Sequence, residues 1–172
     1  VADPTQAQDA ATKAYVDAVK TGLDVKDSVR AATTAALTVT YSGVGKTLTN
    51  SGTLAALAID GVTLVANDRV LVKDQATGSQ NGIYTVTNVG SASVAWVMTR
   101  AGDFDNTPGT EITSGLFTFV EEGTTNADSG WVLTTNGTIT LDTTGLAFAQ
   151  FSGAGQITAG GGMTKTGNTL DV

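Results

Sequence analysis

Residues 58–86 read AIDGVTLVANDRVLVKDQATGSQNGIYTV, and this stretch decides the fold class. Asp60-Gly61 sits between two short apolar runs, Ala58-Ile59 and Val62–Val65. A two-residue Asp-Gly connection favours a type I′ hairpin, because both central positions need positive φ. Val70-Leu71-Val72 and Ile83–Val89 flank a longer polar loop, DQATGSQNG. Branched and aromatic residues fill the runs, and these pack well on a pleated surface.

The same pattern continues outward. Leu37, Val39 and Tyr41 alternate with Thr38 and Thr40, which reads as a half-buried strand. Gly43–Gly52 is rich in turn residues. Trp96–Thr99 predicts another strand. In Leu116–Glu121 both alternating faces are apolar, which predicts a central strand. Asn136-Gly137 between Trp131–Thr134 and Thr138–Leu141 is a second hairpin signal. Leu146, Phe148 and Phe151 close the set. About nine short strands, roughly ten residues apart and without helical patterning between them, predict a mainly β protein with a sandwich or barrel-like domain over residues 37–152.

The flanks differ. In TQAQDAATKAYVDAVKT (5–21), Ala7, Ala11, Ala14 and Ala18 fall at heptad spacing. Pro4 and Thr5 suit a helix start and Gly22 its end. The expectation is an N-terminal helix within 1–22, coiled-coil-like and oligomerising, or else packed on the β-domain. Residues 23–36 read as a connector, with Leu23, Val25 and Val29 placed to lie along the next domain. Residues 153–172 are Gly-rich, with Gly160, Gly161 and Gly162 in succession and Ile157, Met163 and Leu170 as the apolar anchors. They read as a linker, or as a strand-like segment packed against identical chains. The chain begins with Val and ends at Asp171-Val172 inside a strand pattern. It is therefore expected to be a processed product or a piece of something longer.

Composition narrows the function. The 172 residues include nine Lys+Arg and sixteen Asp+Glu, for a net charge of −7, and no His. Without a basic patch, nucleic-acid binding is not expected. An acidic surface also disfavours anionic membranes, and no run is apolar enough to insert in one. The N-terminus lacks the pattern of a signal peptide. Zero Cys and zero His remove thiol chemistry and the commonest neutral-pH base and metal ligand. Only 15% of the residues are charged, which suits a surface partly hidden in an oligomer.

Gly43-Val44-Gly45-Lys46-Thr47 resembles the end of a phosphate-binding loop, but Thr40 stands where the leading Gly belongs. Asp103, Asp105 and Asn106 look like a calcium loop, but Pro108 and Ser114 break its spacing. Glu121 and Glu122 are neighbours and point apart on a strand, so alone they are no glycosidase pair. A pairing with Asp103 or Asp128 would need the tertiary fold. Trp96, Trp131, Tyr41 and Tyr84 are either core or a platform for sugar rings, with Trp96 and Trp131 the candidate glycan contacts. No catalytic residue, cofactor or metal is expected.

Taken in order, six pieces resemble the tail fibres and appendages of tailed bacteriophages. They are DAATKAYVDA (9–18), LDVKDSVRAAT (23–33), GVTLVANDRVLVKDQATGSQNGIYTV (61–86), TRAGDFDN (99–106), SGWVLTTNGTITL (129–141) and ITAGGGMTKTGNTLDV (157–172). The resemblance implies a homotrimeric structural module of a virion fibre, made in the host cytoplasm. It would link the tail to the host-recognition tip, with other tail or baseplate proteins as partners. Under it, Ala7, Ala11, Ala14, Ala18, Ile157, Met163 and Leu170 are the expected oligomer contacts. The alternative is an adhesin module that binds host surface polysaccharide directly.

Overall fold

The computed structural model describes residues 24–107, 109, 111–152, 162, 164–166 and 169–171. The expected N-terminal helix with Ala7, Ala11, Ala14 and Ala18 lies outside the described residues, as do Ile157 and Met163. For Leu170 only the backbone is described.

The described chain is mainly β, and no α-helix occurs among the described residues. A six-stranded sheet has the order β1 (Ala31–Ala32), β6 (Arg69–Val72), β7 (Gly82–Asn88), β8 (Val97–Arg100), β3 (Thr47–Asn50), β2 (Val39–Ser42). A three-stranded sheet has the order β11 (Phe148–Ser152), β10 (Ser129–Leu133), β9 (Phe117–Val120). Two hairpins stand apart: β4 (Ala58–Ile59) with β5 (Val62–Thr63), and β12 (Thr164–Thr166) with β13 (Thr169–Asp171). Strands β2 and β11 remain sheet edges, so no barrel closes.

The Asp60-Gly61 turn forms as expected. Its φ values are +52° and +81°, the pair a type I′ turn needs. The second hairpin signal fails. Asn136 is not among the residues with positive φ, and β10 pairs with Phe148–Ser152 rather than with 138–141. Ile139 and Leu141 instead pack against the core from a long loop. Burial of two apolar side chains outweighed a local turn preference of the kind tertiary packing often overrides.

The centre of the larger sheet is buried on both faces. Leu71 and Ile83 join Phe104, Leu116, Val120, Leu133 and Leu146 on the side of β9–β11. Val70, Val72, Tyr84 and Val86 point the other way, into Leu57, Ile59, Leu64, Trp96 and Met98. This explains the unbroken apolar run of β6, since a strand covered on both faces has no solvent side to make polar. The DQATGSQNG loop is locked by buried polar groups. Asn81 Oδ1 accepts from Gln75 N (2.9 Å), Asn81 Nδ2 donates to Leu146 O (2.9 Å), and Arg100 donates to Ser79 O (2.7 Å) and Asn81 O (3.0 Å).

Much of the stretch expected as a connector is core. Val29, Ala31, Ala32 and Thr33 are all buried. Val25 and Val29 bridge Phe117 and Val120 in parallel, while Ala31 and Ala32 pair in parallel with Val70 and Leu71. One short segment therefore hydrogen-bonds to β9 of one sheet and then to β6 of the other, a corner that changes sheets. Arg30 holds the corner, donating to Asp68 (2.7 Å) and Glu122 (3.1 Å).

Candidate interaction surface

Most residues singled out for chemistry are already engaged, although Asp105 Oδ1 is buried without a hydrogen-bond partner among the described residues. Lys46 sits in the β2–β3 turn with φ +51°. Its ammonium donates to Asp105 O and to Thr107 Oγ1 (3.2 Å), so the GVGKT stretch is a braced turn running into a strand. Asp103 accepts a bidentate pair from Arg69 (3.0 and 2.8 Å). Asp105 lies 3.6 Å from Lys46 Nζ. Glu121 accepts from Ser28 Oγ, and Glu122 accepts from Arg30. Among the described residues no group of three or more acidic side chains is arranged to hold a metal ion. Nor, among them, is any helix long and apolar enough to cross a membrane.

The aromatics divide. Trp96 is 7% exposed inside the core and offers no ring face to a sugar. Tyr84 is fully buried, and its hydroxyl donates to Gln80 O (2.7 Å). Burial pushes its hydroxyl pKa far up. Tyr41 is half-buried beside Arg100 and Asp142. Burial, then its hydrogen bond to Asp142, raises its pKa too. Trp131 is half-buried, with its Nε1 donating to Ser129 Oγ (2.9 Å) and Lys73 Nζ 4.3 Å above the ring. One ring face is thus taken by a cation.

A different surface emerges on the three-stranded sheet. Thr118 and Val120 of β9 face the core, while Phe117 is half-buried and Phe119 is 44% exposed. Phe151 of β11 is 50% exposed. These three rings form a closed triad, with centroids 6.0, 5.6 and 5.8 Å apart and edge-on interplanar angles of 85°, 82° and 70°. Gly130 of β10 makes the triad possible, because a Cβ there would stand 2.6 Å from Phe151 Cζ. The Gly130/Trp131 register shift leaves Phe151 bulged across that glycine. Register puts Val132 and Ala149 on the same face. Val25 is 53% exposed and extends the face along its edge. From Val25 to Val29 the entry segment advances four residues while β9 advances three, so Val25 faces out and Val29 in.

This surface was missed in the sequence, where the two apolar faces on 116–121 were read only as the mark of a central strand. Strand β9 is indeed hydrogen-bonded on both edges, by β10 and by residues 24–29. Its outer face, however, is covered by no segment among the described residues. The legible signal was Phe117 and Phe119 at alternate positions with Phe151 downstream, but sequence alone cannot distinguish an exposed apolar face from a buried one.

Comparison with known proteins returns nothing: no family model, no curated protein and no solved structure matches the chain.

Proposed function

We propose that this chain is a structural module of a trimeric bacteriophage tail fibre, a sandwich-like β bead that links the tail to the host-recognition tip and supports attachment. The direction of the chain carries this reading. The entry segment 25–29 runs parallel to β9, and β11 also runs parallel to β9, since each is antiparallel to β10. Asp24, to which residues 1–23 attach, lies at the Phe117 end of the sheet, and Ser152, to which residues 153–172 attach, lies at the Phe119 end. Such a bead extends a fibre in line instead of doubling it back. The engagement of the acidic residues by Arg30, Lys46 and Arg69 is in keeping with a mechanical role.

Two measurements test it. Multi-angle light scattering of the 172-residue chain is expected to give three times its 17.3 kDa mass. An antibody against the chain is expected to decorate the tail appendages of virions in electron micrographs. A monomer together with unlabelled virions would refute the proposal.

A further inference from the structure

We infer that the outer face of the three-stranded sheet, centred on Phe117, Phe119 and Phe151, is where copies of this chain meet side by side. The inference rests on the trimeric reading above and gives it a surface. Other exposed apolar residues, such as Val44, Val65 and Val94, are scattered singly over turns and loops and need no partner. The phenylalanines are contiguous. Register places Phe117, Phe119, Gly130, Val132 and Ala149 on the outward positions of the three strands, with Phe151 bulged onto the same face and Ser152, opposite Gly130, its one polar member. Exposed aromatic clusters of this kind mark interaction sites.

The occupant follows from where the remaining chain attaches. Residues 1–23 join at Asp24, one position before Val25 on the edge of the face. Ala18, the last residue of the alanine seam, is seven positions before Val25. Even fully extended, that span reaches only about 25 Å. Copies associated through the seam would hold their faces at high effective concentration. Because entry and exit run in the same direction, parallel copies present the same face toward a common axis. A sugar fits less well, since these rings stack edge-on against one another and a single hydroxyl, that of Ser152, is the hydrogen-bonding side chain at an outward strand position.

The test compares the full chain with the double variant Phe119→Ser/Phe151→Ser by light scattering, with far-ultraviolet circular dichroism and a thermal melt to report the fold. The expected result is a folded variant that drops from three chains to one. A parallel pair of variants exploits the absence of cysteine from the chain. Phe119→Cys is expected to form interchain disulfides under mild oxidation. Val44→Cys, at a fully exposed position in the β2–β3 turn, is not. If the double variant misfolds, the cysteine pair decides. A wild-type trimer whose double variant is folded and still trimeric overturns this inference and leaves the trimeric reading standing. So does a wild-type trimer for which Phe119→Cys crosslinks no better than Val44→Cys. A wild-type monomer overturns both. If, in that monomer, the thiol introduced by Phe119→Cys also resists labelling, the chain's own flanking segment covers the face.

Discussion

The centre of the six-stranded sheet and the three-stranded sheet draw on similar residues but end in different environments. In β6 and β7, alternate side chains enter two separate cores, and Val70, Leu71, Ile83 and Tyr84 are all fully buried. In β9, one alternation is buried and the other holds phenylalanine in solvent. The layer that covers the larger sheet's second face comes from residues 57–64 and Trp96. No described segment performs that service for β9–β11. An apolar sheet face is thus not in itself a sign of burial; what matters is whether the chain has a segment to lay over it.

Substitutions on the two sheets should separate these roles, beginning with the largest effect. Leu71→Ala leaves a cavity between the sheets and is expected to cost about 2–5 kcal/mol in urea unfolding. If it cost no more than a substitution on the phenylalanine face, the two regions would not differ as described. Asp60→Ala comes next. The Asp60 carboxylate accepts from Thr125 N and Asn126 N (2.8 Å), tying the hairpin that covers the larger sheet to the loop after β9. Its loss, with alanine placed at positive φ, is expected to cost about 1–3 kcal/mol. Asp60→Asn, which tolerates that φ better, should recover part of it.

Alkaline pH reaches the two tyrosines of the larger sheet. Tyr84 and Tyr41 both have raised folded pKa values, so the folded state holds their protons more tightly than the unfolded chain. Their contribution is complete below about pH 10, the ordinary tyrosine value, and is lost as pH rises through the folded values. Urea midpoints should therefore fall above about pH 10. Tyr84→Phe, which gives up the bond to Gln80 O, should lose about 1 kcal/mol at neutral pH yet decline less steeply in base. An equal decline in both proteins would contradict this.

The smallest effects on folding belong to the bare face. Gly130→Ala presses on the far end of the Phe151 ring and on Ser152 Oγ, each 2.6 Å from the new Cβ and each able to turn aside, so its stability cost is expected to stay under about 1 kcal/mol. Self-association should nevertheless weaken as the triad opens, which dilution followed by light scattering would detect. A large loss of stability with unchanged association would mean that the triad serves the fold rather than an interface.

Four strands of the larger sheet, β2, β6, β7 and β8, were readable from local pattern, whereas β3 lies inside Gly43–Gly52, which was read as turns. The Asp60-Gly61 turn, the apolar run Val70–Val72 of β6 and the alternation of β2 each carry their structural reason within a few residues. Three other features were not readable. Asn136-Gly137 has the right turn chemistry, but Ile139 and Leu141 go to the core and prevent the hairpin. Residues 24–33 look like a connector because they are short and partly charged, yet they pair with both sheets. The phenylalanine face was hidden because Phe117 and Phe119 read the same whether covered or exposed.

By itself the sequence determined the mainly β class, the type I′ turn and the lack of any thiol or imidazole group in a chain without His or Cys. Those properties depend on side-chain type, φ preference and period-two spacing, all of them local. Only the tertiary structure decided which carboxylates Arg30, Lys46 and Arg69 would hold, that one segment would join the two sheets, and which apolar face would stay bare. Those depend on which distant segments meet, through contacts that span tens of residues and leave no local signature.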